Sequence, residues 1–199
     1  MSEFAGTTFS QTNPRLELLS DFVLSQIVAA IAFALGIAAF QMKSRRVMLV
    51  WIATSAVANA CHFFILNLTA PGILFLFMGS RSYVAAFTVN KKIMCLFLAA
   101  IVATFCLSYE RPVELIGLLG ALLATCGTFQ KGHLTVRIMF VLSNASWMVH
   151  NILVGTPVAA LMEATFLTSN LVGFWRFRSS RETPDTPHSH QSDKAEPGV

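Results

Sequence analysis

Apolar residues along this chain fall in long, nearly unbroken runs. They show neither the alternation of a half-buried strand nor the narrow stripe of an amphipathic helix. A helix that crosses a bilayer needs roughly 20 mostly apolar residues. Seven stretches approach that length: 22–40, 47–66, 72–89, 93–109, 113–129, 138–154 and 158–175, the fourth and fifth being short. The breaks between them carry turn chemistry at Pro71-Gly72, Arg111-Pro112 and Gly155-Thr156-Pro157. Each proline lies near a helix start, where its missing N–H does no harm. The pattern predicts an all-α membrane protein with seven transmembrane helices.

The polar breaks set an orientation. Lys43, Arg45 and Arg46 occupy the first turn, and Lys91 and Lys92 the third. Lys131 and Arg137 belong to the fifth, and Arg176, Arg178 and Arg181 open the C-terminal tail. The second and sixth breaks carry no cation, and the fourth carries only Arg111 between Glu110 and Glu114. Cations therefore alternate from loop to loop. By the positive-inside rule the N-terminus is outside and the C-terminus cytoplasmic. Tyr109 and Trp175 sit at span ends, as interfacial aromatics do.

Composition agrees. The chain is 55% hydrophobic and 12% charged, with mean hydropathy +0.64. A soluble domain is about a quarter charged, so most of this surface is not water-facing. The net charge of +4 lies on alternate loops, which argues against a nucleic-acid partner and for a lipid bilayer. Cys61, Cys95, Cys106 and Cys126 lie in apolar runs without CxxC spacing. They read as small packing residues, not as a zinc or redox site. The first apolar run follows Glu17 and Asp21, not a basic stretch, and is read as a retained span. The organisation expected is an extracytoplasmic segment over 1–21, a membrane domain over 22–177, and a disordered cytoplasmic tail over 178–199 rich in Pro, Ser, Asp and His.

Within the membrane domain the chain resembles itself. AAFQMKSRR from Ala38, then NACHFFILN from Asn59, parallels GTFQKGHLTVR from Gly127, then NASWMVHNILVG from Asn144. Anchoring on Gln41 and Gln130 sets His62 within one residue of His150 and Arg81 opposite Asn170. Helices one to three (about 22–90) then match helices five to seven (about 113–175), with 93–109 as a linker helix. One linker restores the orientation of the second triplet, so the two repeats run parallel, a 3+1+3 plan seen in transporters with a solute site between repeats.

Phe40-Gln41-Met42-Lys43-Ser44 and Phe129-Gln130-Lys131, with Asn144, Trp147 and Asn170, resemble the SWEET and PQ-loop superfamily, although Phe replaces the Pro of the Pro-Gln signature both times. The Phe-Gln-x-Lys-Ser…His-Phe pattern and the length more closely resemble the YgjV family of small bacterial inner-membrane proteins, from Phe22 to Phe177. The first resemblance implies sugar uniport; the second implies an inner-membrane location.

Ionisable groups inside spans are costly and usually face an interior. Arg81 and Glu163 are such groups, on helices three and seven. They are expected either to approach each other or to share a solute, an anionic group being one that Arg holds bidentately. Asn144, Trp147 and Asn151 share one face of helix six, and Glu163, Phe166 and Asn170 one face of helix seven. A substrate site of Arg81, Trp147, Glu163, Asn170, Asn144 and Asn59 follows; the alternative is that these residues are interhelical glue. His62 and His150 at the outer ends, with Gln41 and Gln130 at the inner ends, are candidate gating residues. The plainer roles are interfacial hydrogen bonding and satisfying freed carbonyls. No HExxH, paired intramembrane aspartates or Ser-His dyad is present, so neither an enzyme, a cofactor nor a metal is expected. The expected activity is alternating-access transport of a small, sugar-like or polar solute; a non-transporting scaffold or receptor is the alternative. One chain suffices for such a unit, and a homodimer is left open.

Overall fold

A computed structural model describes residues 14–179. It holds seven helices: α1 Pro14–Ala39, α2 Arg45–Ile65, α3 Thr69–Phe87, α4 Lys91–Ser108, α5 Glu114–Thr128, α6 His133–Val154 and α7 Pro157–Ser179. Residues 1–13, most of the expected extracytoplasmic segment, and 180–199, most of the expected tail, lie outside the described residues.

The breaks follow from local chemistry. After α2, Asn67 takes φ 57°, a left-handed conformation that Asn tolerates. α6 ends on Gly155 at φ 79°, whose N–H reaches the Ile152 carbonyl while Thr156 N–H reaches Asn151. This is the glycine-terminated helix end, and Pro157 then opens α7. α4 is capped by Asn90, whose side chain accepts from the Lys92 N–H at 2.8 Å.

Two boundaries differ from expectation. α1 begins at Pro14 and not at 22, its apolar part running Leu19–Ala39. α6 begins at His133 and not at 138, so Arg137 belongs to a helix and not to a loop. Four helices are long and apolar enough to cross a membrane: Leu19–Ala39, Arg45–Ile65, Lys91–Ser108 and Pro157–Arg176. The apolar stretches Pro71–Phe87 and Glu114–Thr128 are shorter. α6 has 22 residues, but Arg137, Ser143, Asn144, His150 and Asn151 dilute its apolar run.

α2 packs between α1 and α3, and α6 between α5 and α7. α4 rests mainly on α5 and buries none of its residues; Phe97 joins it to Phe77 and Phe129 with ring centroids 5.3 and 6.1 Å apart. α1 meets α7, and α3 meets α5. The core lies toward the basic end, built from Phe40, Met48, Leu49, Ala85, Ala86, Ala124, Phe129, Val136 and Phe140. Large apolar side chains elsewhere point outward, among them Phe22, Ile31, Leu96, Leu107, Val158 and Leu161. That much exposed apolar surface suits lipid. Three cysteines expected to pack inside (Cys61, Cys95 and Cys106) are exposed on this surface, and only Cys126 is half-buried.

Candidate functional site

The functional geometry lies along two seams, α1 against α7 and α3 against α5. At the first, Ser169 Oγ donates to the Ile37 carbonyl at 3.0 Å, and Gln41 Nε2 donates to Ser169 Oγ at 2.9 Å and to its carbonyl at 3.0 Å. At the second, Arg81 Nη1 donates to Thr125 Oγ1 at 2.7 Å. Ile37 and Thr125 stand 88 positions apart in the chain, and so do Arg81 and Ser169. The same shift relates a pair of contacts inside the triplets. Ser55 Oγ donates to Ala32 O at 2.7 Å, and Ser143 Oγ to Gly120 O at 2.8 Å.

Nearer the basic end an arginine bridges each seam. Arg45 Nη2 donates to the carbonyls of Ala85 on α3, at 2.8 Å, and Thr128 on α5. Arg137, with no exposed surface, donates to Met42 O at 2.9 Å and to Asn170 Oδ1 at 3.4 Å, while its Nε meets His133 Nε2 at 3.2 Å. Its guanidinium and the Phe40 carbonyl both lie beside Gly173; Gly173 and Phe40 are 88 positions from Ala85 and Thr128. Hydrogen bonds from a charged donor contribute about 1.5–3 kcal/mol each, so these two side chains are strong ties. Phe40 stacks edge-on against Phe140 at 5.7 Å, and Phe33 packs on Phe166 at 5.2 Å. Among the described residues, the hydrogen bonds and ring contacts between α1–α3 and α5–α7 all lie from Phe33–Phe166 and Arg81–Thr125 toward the basic end. An open groove of about 510 Å³ follows the α1/α7 seam past Gln41, Ser169, Thr168, Thr165 and Leu161.

The expected substrate residues make separate contacts among the described residues. Arg81 is buried and bonded to Thr125, not to Glu163; those two form no ion pair. Glu163 is half-buried on α7. Asn170 is fully buried and binds α6 through its Nδ2 to the Arg137 carbonyl, 2.9 Å. Trp147 lies over Gly117 and Gly120 of α5, where any larger residue would displace it, and its ring meets His150 edge-on at 5.3 Å. Asn59 donates to Ser55 O of its own helix. Asn144 is buried with its Nδ2 unpaired. None of these six lines the groove. Of the gating candidates, His62 Nδ1 pairs with the Ser25 carbonyl at 2.9 Å, tying α2 to α1. His150 meets its neighbour Asn151 at 3.4 Å. Gln41 spans a seam, whereas Gln130 folds back on Cys126 O of its own helix.

That last difference corrects the alignment. Gln41 and Gln130 stand 89 positions apart and make unlike contacts, while the matching contacts run at 88. At that shift Arg81 falls opposite Ser169 and not Asn170, and His62 opposite His150 without offset. Arg45 and Arg137 were missed because a count of loop cations ignores depth. Arg137 shares a helical face with His133, Val136 and Phe140, and that periodicity is the signal that places it inside.

Apolar helices around a polar interior, with a lipid-suited surface and cations gathered at one end, define a multi-pass membrane protein. Its family follows from sequence: residues 23–181 match Imp-YgjV, a bacterial inner membrane protein family, and the chain belongs to it as a multi-pass protein of the inner membrane. It is similar to "Inner membrane protein YgjV" of Escherichia coli (strain K12), 25% identical over 163 residues, covering 80% of this chain and 89% of that one. No solved structure matches it.

Proposed function

We propose that this protein carries a small polar solute across the inner membrane by alternating access between two parallel helix triplets, α1–α3 and α5–α7, joined by α4. The observation behind this reading is one-sided closure: the triplets are tied together at the basic end by Arg45, Arg137 and the phenylalanine contacts, while the matching ties at the other end are missing among the described residues. Two equivalent seams at equal depth suit a rocking motion about a site between repeats. With cations inside, the basic end is cytoplasmic, the N-terminus is outside, and the conformation is open outward. The SWEET-like and PQ-loop-like resemblance of the Phe-Gln turns points the same way, toward a sugar-like solute.

A scaffold or receptor is the second reading, favoured by the way Asn170 and Trp147 are used in helix packing. The two separate in one experiment. Glu163→Cys, in a background lacking the four native cysteines, is labelled from outside with a membrane-impermeant maleimide, with and without Arg45→Met and Arg137→Met. A transporter shows labelling that slows when the inner ties are removed, because the outward-open state loses population. A rate that ignores both arginines, together with no uptake of labelled sugars, amino acids or organic acids into proteoliposomes, refutes transport.

A further inference from the structure

We propose that Arg81 is the recognition point for an anionic solute, one bearing a carboxylate or phosphate group, at the α3/α5 seam; this deepens the transport reading and rests on it. Arg81 is 4% exposed, and a guanidinium stays charged in any protein environment. A buried cation in a membrane domain needs a counter-charge. Its hydrogen-bonding partner is a neutral hydroxyl, Thr125, at 2.7 Å, and its Nε, also buried, has no partner. Glu163, the acidic side chain deep in α7, forms no ion pair with it.

The matching position shows that the charge is not needed to close a seam. There Ser169 joins α7 to α1 with a hydroxyl donating to Ile37 O, and Gln41 adds a neutral amide. A serine does for one seam what an arginine does for the other, at a far smaller desolvation cost. What the arginine adds is a fixed positive charge and a free donor edge, the fork that grips a carboxylate or phosphate. Its position strengthens the assignment. Arg81–Thr125 and Phe33–Phe166 are the last ties between triplets before the unlinked end, so Arg81 stands at the innermost limit of the unlinked part of its seam, and the other seam has no arginine at the matching position. Thr125 holds the guanidinium in place, its own hydroxyl donating to Ala121 O at 2.8 Å.

The test is thermal stability of the full chain in detergent, at constant ionic strength, against acetate, succinate, inorganic phosphate and glucose. A ligand that binds only the folded state raises Tm by mass action. The expected result is a dose-dependent rise with at least one anion, lost in Arg81→Gln and weakened about tenfold or more in Arg81→Lys, which keeps charge without the fork. Carboxylate and phosphate are told apart by which probe acts. Should Arg81→Gln fail to fold, the wild type and Arg81→Lys carry the comparison. A rise with glucose that is unchanged in the Arg81 variants overturns the anion site and leaves transport standing. A flat response to all four probes, with no uptake of any of them into proteoliposomes, overturns both.

Discussion

Gly173 gives the sharpest test of the inner seam. It lies on α7 beside the Arg137 guanidinium and the Phe40 carbonyl, and a Cβ there would sit far inside contact distance of each. On an open helix Gly→Ala gains about 1 kcal/mol of helix propensity. Here the methyl would have to push α7 outward by roughly 1 Å, and overpacking of this kind costs about 1–3 kcal/mol. The obstacles are a backbone carbonyl and a guanidinium tied to Met42 and Asn170, neither of which can swing away, so the cost belongs at the upper end. The net loss for Gly173→Ala is then about 2 kcal/mol, or a fall in Tm of about 4–8 °C for a chain of this length. Thermal unfolding followed by intrinsic fluorescence reads it. Gly79→Ala is the control, since its Cβ would meet Ala56 Cβ at 3.3 Å and Ala53 O at 3.4 Å, an adjustment of tenths of an ångström. Gly173→Ala should cost less in an Arg137→Met background than in the wild type, because one obstacle leaves and the other stays. If Gly173→Ala melts with the wild type, α7 does not approach α1 this closely, and the seam with its arginine tie is wrong.

Ser55→Ala and Ser143→Ala should each cost about 1 kcal/mol, by loss of the bonds to Ala32 O and Gly120 O. Comparable falls in Tm would support equivalent triplets, whereas a large loss at one and none at the other would break the equivalence. Trp147→Ala should cost about 3–5 kcal/mol by emptying the surface of Gly117 and Gly120; Gly120→Ala in that variant should then be tolerated, and a Trp147→Ala protein as stable as wild type would show the indole to be unpacked.

Helix number and type were legible because a spanning segment is a one-dimensional property: apolar length and the cations at its ends appear in the sequence whatever packs against it. Family membership rested on the same residues, Phe40-Gln41 through His62-Phe63 among them. The likeness between the two stretches was legible too, but the 88-position shift that relates their contacts was not. Gln41 and Gln130 look alike in sequence, and only their contacts, one across a seam and one back on its own helix, show that they are not equivalent.

The site was the least legible part. Sequence marks which polar residues are expensive in a membrane and cannot say what satisfies them. Asn170 and Trp147 go to helix packing, Arg81 to a single hydroxyl, and Arg137 moves from a loop to the core. The sequence by itself determined the membrane, the helices and the basic end, since each depends on local composition. Only the tertiary structure decided which carbonyls Arg45 and Arg137 bridge and which donor edge Arg81 leaves open. Those depend on residues 40 or more positions apart meeting across helix faces, and in hydrocarbon a buried donor has only the acceptors that the packing brings to it.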